Sequence, residues 1–269
     1  PGFELMTTQI HPQAVVSAKA HLGEHVSVGP FAVIEDDVII GDGTWVGPHA
    51  YVANGSRVGR ECRLHPFSSV GAPPQDLKYK GEPTLLELGD RCTVREYATL
   101  NRGTVETGKT VIGSDCLFMA NTHVGHDCRV GNRVIMANSV ALGGHVHLGD
   151  WVIIGGGTPI HQFCKVGDHA MIGGGFRVVK DVPPFILAGQ EPLVFEGLNS
   201  VGLKRRGFQP RTMELLEAAY GVLYRSNLNV SQAVARIKES IELTSEVHTV
   251  LSFIASSKRG IISGRTKRV

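Results

Sequence analysis

Apolar residues recur along this chain at intervals of six, a spacing that is neither the 3.6-residue turn of a helix nor the two-residue alternation of a strand. The phase runs from Ile10 through Val16, Leu22, Val28, Ile34, Ile40, Val46, Val52, Val58, Leu64 and Val70. It resumes at Leu88, Val94 and Leu100, and again from Ile112 through Phe118, Val124, Val130 and Met136 to Val178. Only Asp76, Glu82 and Glu106 fall in phase without being apolar. Four residues after each apolar position comes a register of small or modest side chains, among them Ala14, Ala20, Ala32, Thr44, Ala50, Ser56, Ser68, Ala98, Thr104 and Ala170. This is the hexapeptide signature of a parallel β-helix, in which short flat strands turn a corner every six residues and the apolar residue points inward. Glycines frequently follow the apolar position, as at Gly41, Gly113, Gly125, Gly131 and Gly143. They predict corners that need unusual backbone angles.

Two segments leave the repeat: 71–87, with polar and turn residues where the coil wants apolar ones, and 101–110. Both predict loops thrown out from the coil, which is where substrate contacts gather on a rigid scaffold. Asp76, Lys78 and Arg102 are candidates there, beside the plainer reading of a solvated charged loop. Past Val178 the segment KDVPP breaks the pattern, and after Gly207 the spacing becomes helical. Leu216, Tyr220 and Leu223 make one stripe behind Pro210; Val230, Ala233, Val234, Ile237 and Ile241 a second; Val247, Val250, Leu251 and Ile254 a third. Asn229 and Gln232 have the spacing of a capping box. The predicted organisation is an all-β parallel β-helix over 7–190, with loops at 71–87 and 101–110, and a small α-helical domain over 191–269. The segment PGFEL before Met6 is set aside as a remnant preceding a native start.

Composition narrows the function by exclusion. With 27 basic and 25 acidic side chains in 269 residues the net charge is +2, too little field to argue for nucleic acid or a membrane surface. No apolar run approaches the roughly 20 residues a membrane span requires, and the expected location is the cytoplasm. Cys62, Cys92, Cys116, Cys128 and Cys164 all fall in the small-residue register. That predicts packed core thiols rather than disulfides or redox chemistry.

The histidines follow from the repeat. Hexapeptide coils in known families are triangular and take about 18 residues a turn; by that resemblance His126, Gly144 and Gln162 share a phase, with His145 and His161 one residue to either side. Strands on adjacent coils lie about 4.8 Å apart, so His126, His145 and His161 sit on one edge within about 10 Å along the axis, and His123 precedes them on the same approach. Imidazole there can act as a general base or as a metal ligand. Asp127 is placed to orient His126. With no accessible thiol and no nucleophile elbow, direct attack by a substrate hydroxyl with His as base is the economical mechanism.

From Ile10 to Arg259 the chain resembles the acyl-carrier-protein-dependent UDP-N-acetylglucosamine O-acyltransferases that begin lipid A synthesis. The most specific pieces are QDLKYKGEPT (75–84), NRGTV, NTHVGHDC (121–128), GGH (143–145), HQFC (161–164), DVPP and GLKRRGF (202–208). The resemblance implies a left-handed, triangular coil and a homotrimer with sites between subunits. It implies that His126 is the general base, that Asp127 orients it and that the Gly144 N–H stabilises the oxyanion. Asp76, Lys78, His123, His145, His161 and Gln162 match sugar and phosphate contacts, and Asn199 and Arg205 nucleotide contacts. No bound cofactor or metal is implied; the 3-hydroxyacyl donor rides on the 4'-phosphopantetheine of acyl carrier protein. Gly174 matches the residue that sets the length of the acyl groove.

The chain departs from the family pattern at Asn101, where many members have His, at Val201, where an acidic residue is common, and at Pro192, where some members put His. Two rivals remain open at this stage. A hexapeptide carbonic anhydrase gathers histidines around a metal. A sister N-acyltransferase of the same pathway carries an extra N-terminal domain, for which a repeat starting at Ile10 leaves no room.

Overall fold

A computed structural model describes residues 7–264; PGFEL, Met6 and the final RTKRV lie outside the described residues. The hexads form strands of two to four residues, each paired in parallel with the strand one coil later. Leu117–Phe118 lies on Ile135–Met136, and His123–Val124 on Ala141–Leu142. Pairing this way produces three sheets, the faces of a left-handed parallel β-helix; two have 8 strands, and the third reaches 12 by adding C-terminal strands beyond the hexads. The apolar in-phase residues from Val28 to Val178 are buried, and Val94, Phe118, Leu142 and Ile154 lose all solvent contact. Each such side chain contributes about 1.5–3 kcal/mol of transfer free energy. Ile10 is 47% exposed, and among the described residues its strand pairs only with Ser27–Val28. The five cysteines are all buried and unpaired in the second register. Burial pushes the Cys128 thiol, beside the histidine cluster, up to about 12.

The glycines differ from the expectation. Those after the apolar position, including Gly41, Gly113, Gly125 and Gly143, do not carry positive φ. They are glycine because a Cβ would strike the next coil: 2.7 Å from the Gly59 carbonyl carbon at Gly41, and 2.8 Å from the Gln162 nitrogen at Gly143. The left-handed corner positions are held largely by other residues, among them Phe67, Arg91, Asp127, His145 and Phe163, at φ near 60°. Two residues of the histidine cluster thus sit at corners, where their side chains are thrown outward.

Both loops are shorter than predicted. Ser69–Ala72 and Leu85–Leu88 are strands flanking the first, and Thr99–Asn101 and Lys109–Ile112 flank the second. The region read as helical from 191 opens instead on a strand, Val194–Leu198, antiparallel to Ile186–Gly189, which itself extends the coil. Helices begin at Ser200: α1 (Ser200–Arg205), α2 (Pro210–Arg225), α3 (Val230–Ser240) and α4 (Ser245–Ser256). The six-residue α1 is too short to show periodicity, and the hairpin lacks the alternation of a one-sided strand. Leu216, Tyr220 and Leu223 of α2 are buried as predicted, and Asn229 and Gln232 form the reciprocal capping box of α3. Among the described residues no helix is long and apolar enough to cross a membrane.

Candidate active site

Because the strand at 123–124 pairs with 141–142 and that one with 159–160, the residues three positions on, His126, Gly144 and Gln162, each just before a left-handed corner residue, follow one another up the edge. His126 Nδ1 lies 2.7 Å from Asp127 Oδ2, with the His side chain 16% exposed and the carboxylate fully buried. A carboxylate only accepts, so Nδ1 carries the hydrogen and Nε2 presents a lone pair. That nitrogen faces Gly144: a Cβ there would lie 2.6 Å from Nε2 and 2.5 Å from Cε1. Any side chain at 144 would displace the ring. The Gly144 N–H has no acceptor among the described residues.

Asp127 is held from the second loop. Thr104 donates to it twice, from its N–H (3.0 Å) and from its hydroxyl (2.7 Å), and the Thr107 hydroxyl donates to Oδ1. The Thr110 hydroxyl accepts the Asp127 N–H at 2.9 Å. Burial alone would push this carboxyl up, but the hydrogen bonds from Thr107, His126 and Thr104 outweigh it and hold the group below the ordinary carboxylate range. The buried side chain is therefore a charged acceptor at neutral pH.

His145, on the next coil, stands edge-on to His126 with ring centres 5.3 Å apart, and its other side stacks on Phe163 at 4.5 Å. Its Nε2 faces two carboxylates, Glu106 Oε2 at 3.4 Å and Asp127 Oδ2 at 3.6 Å. His123 is half-buried, its Nδ1 2.7 Å from the Thr99 hydroxyl. Burial and the neighbouring His126 hold it below the usual histidine range, which favours the neutral ring. Donor atoms of His126, Asp127 and His145 all lie within 4.8 Å of one another, close enough to close on a metal ion.

The remaining candidates are more dispersed. His161 and Gln162 are exposed one coil further along, His161 Nδ1 lying 3.0 Å from the Gln162 carbonyl. Asp76 caps its own turn by accepting the Lys78 N–H at 3.0 Å, leaving the Lys78 side chain in solvent. Arg102 does not face outward: it donates to the carbonyls of Asn54 and Gly71 and to the Tyr79 hydroxyl, tying the base of the first loop. Asn199 is buried, its Oδ1 capping α1 at the Gly202 N–H and its Nδ2 donating to the His169 carbonyl. Arg205 is exposed. Gly174 is exposed, and a Cβ there would press on the Gly156 carbonyl oxygen at 3.0 Å.

The sequence reading missed Thr104, Thr107, Thr110 and Glu106 as site residues. A signal was present: three hydroxyls at intervals of three inside a polar excursion that interrupts the coil immediately before the histidines. A groove of about 700 Å³ lined by Trp45, Glu61, Arg63 and His65 lies on earlier coils and shares none of these residues.

Known proteins resemble this chain along nearly its whole length. The family model described as Udp N-acetylglucosamine O-acyltransferase, Domain 2, matches residues 181–262, and the bacterial transferase hexapeptide model matches 37–72 and 109–144. The acyl-(acyl-carrier-protein)-UDP-N-acetylglucosamine O-acyltransferase of Halorhodospira halophila is 45% identical over 95% of this chain and 99% of its own length. That of Thiobacillus denitrificans is 46% identical over 94% and 98%. The crystal structure of the UDP-N-acetylglucosamine acyltransferase of Bacteroides fragilis superposes with a TM-score of 0.93 at 40% identity, covering 94% of this chain and all of that one. The Arabidopsis enzyme superposes at 0.79 with 33% identity, over 94% of this chain and 99% of its own. This chain therefore belongs to the acyl-(acyl-carrier-protein)-UDP-N-acetylglucosamine O-acyltransferase family.

Proposed function

We propose that this protein transfers a 3-hydroxyacyl chain from acyl carrier protein to the glucosamine 3-hydroxyl of UDP-N-acetylglucosamine, the first step of lipid A biosynthesis, with His126 as general base. The observation that carries the mechanism is the division of labour on one ring: Nδ1 is bound to a buried carboxylate while Nε2 is left with a lone pair beside the free Gly144 N–H. Nε2 takes the proton of the sugar hydroxyl as its oxygen attacks the thioester carbonyl. Asp127 stabilises the imidazolium that forms. The tetrahedral oxyanion accepts a hydrogen bond from Gly144, a contact whose loss typically costs about 3 kcal/mol. Collapse breaks the carbon–sulfur bond, and His126 returns its proton to the departing thiolate of the carrier's phosphopantetheine.

In this proposal His123, His145, His161, Gln162, Asp76 and Lys78 bind sugar and phosphate, and Asn199 and Arg205 the nucleotide. Several of these are exposed and far apart on one chain, which fits a homotrimer whose sites are completed across subunits. Gly174 sets the length of the acyl groove by leaving it open. The enzyme works in the cytoplasm without a metal. The metal-bound reading, favoured by the clustering of His126, Asp127 and His145, is separable by experiment. Incubation with UDP-N-acetylglucosamine and a panel of 3-hydroxyacyl carrier proteins, with and without exhaustive chelation, should yield the O-acylated sugar nucleotide at the same rate in both arms. No acylated product overturns the proposal, and loss on chelation restored by zinc replaces the mechanism with a metal-dependent one.

A further inference from the structure

The segment 101–110 looks in sequence like a substrate loop, yet its hydroxyls turn toward the coil. Thr104 occupies the small-residue register and is buried, Thr110 is buried one hexad later, and Thr107 at the turn between them is exposed, its hydroxyl set between Asp127 Oδ1 and a second acceptor, the Lys109 carbonyl at 2.9 Å. Asp127 Oδ1 receives the Thr107 hydroxyl and the Thr104 N–H; Oδ2 receives the Thr104 hydroxyl and His126 Nδ1. The Thr104 hydroxyl in turn accepts the Glu106 N–H at 3.2 Å, which fixes its rotor so that its own hydrogen points at the carboxylate. Asp127 sits at a corner with φ near 60°, outside the packed interior of the coil, and these hydrogen bonds hold its side-chain torsions.

We propose that Thr107, with Thr104, is a positioning residue of the transfer reaction: it holds the Asp127 carboxylate in the one orientation that fixes the tautomer of His126 and limits how strongly Asp127 favours the imidazolium. This rests on His126 being the general base. The charge on Asp127 is divided among its donors, so each threonine hydrogen bond lessens the share directed at the histidine. Removing one strengthens the pull of Asp127 on the His126 proton. His126 then remains protonated to higher pH, and the fraction of enzyme with a free base falls at a given pH. Other titratable groups face the pair: His123 on the preceding strand, His145 on the next coil, Glu106 from the loop and Cys128 immediately after. None is altered by a change at Thr107.

The experiment is the pH dependence of kcat and of kcat/KM for the wild type, Thr107→Val, Thr107→Ser and His126→Gln, each as the assembled full-length protein. Thr107 is exposed, and valine preserves its shape, so the fold should persist. The expected result for Thr107→Val is a fall in kcat of about ten-fold with KM within about two-fold, and a rising limb of kcat/KM displaced upward by about half a pH unit. Thr107→Ser should return both to wild-type values. A limb that does not move or moves downward, or a loss confined to KM, overturns the positioning role even when His126→Gln is inactive. A His126→Gln variant that keeps its activity also overturns it, and identifies the general-base reading as the part that failed.

Discussion

Gly144 is the residue whose demands are most sharply defined. A single methyl group would sit inside the contact distance of the His126 ring, on flanking backbone that carries the free N–H. Gly144→Ala should therefore lower kcat by at least about 100-fold through displacement of the base, the backbone N–H itself being retained, with little change in melting temperature. Steady-state kinetics beside a thermal melt checks this, and wild-type kcat would show that the ring has another place to go. Gly174 presents the opposite case, an exposed glycine. Its own packing explains part of its identity, since a Cβ meets the Gly156 carbonyl. If it also limits the acyl groove, the wild type should prefer a 3-hydroxymyristoyl over a 3-hydroxydecanoyl donor, and Gly174→Met should reverse the order. Excluding four methylenes at about 0.8 kcal/mol each could shift selectivity by about 3 kcal/mol. Competition between the two donors is the measurement, with Gly174→Ala as the control for backbone crowding alone.

At the scale of elements, the coil was readable because a period of six leaves no other fold to which the apolar residues can belong. Phe118, Val124 and Met136 are buried where the period puts them. The vertical alignment of His126 with Gly144 followed from the same arithmetic. The helical stripe of α2 and the cap of α3 were legible for an equally local reason. The second loop was not, because side-chain direction in an aperiodic segment depends on what lies beneath it. The threonines turn inward because Asp127 is there to receive them. The hairpin at 186–198 was not legible because buried and half-buried residues follow one another in its strands without alternation. The loop also lends a pH dependence to stability. The Asp127 carboxyl is held below its ordinary range when folded. Its contribution is therefore present above the unfolded value, about 3.9, and is lost as pH falls through the lower folded one. Asp127→Asn should lower the melting temperature at pH 7, and the gap to the wild type should close in strong acid. A constant gap across that range would mean that the charge adds nothing to holding the loop.

At the scale of the whole molecule, a nearly neutral chain must meet an acidic carrier protein with local charge, and the sequence offers Lys165, Arg177, Lys180 and Lys204 to Arg206. The structure divides that set. Lys165 donates to the Ser256 carbonyl, Arg177 pairs with Glu191 at 3.0 Å, and the Arg206 guanidinium lies over Trp151. Lys180, Lys204 and Arg205 are exposed and have no ion pair among the described residues. Carrier-protein affinity should weaken as the Debye length shrinks to about 8 Å near physiological salt. Charge reversal at Lys204 and Arg205 should remove most of that salt dependence; an affinity indifferent to both would place the docking surface elsewhere. Coil and loop both bear on one ring, so the most direct test of the account is acyl transfer by His126→Ala, with folding followed by circular dichroism and thermal melting. The ring lies outside the inward registers, so the coil should stay folded while the rate falls by 10² to 10⁴-fold, roughly the range for loss of a general base. A folded variant that keeps more than about a tenth of the wild-type rate would contradict it.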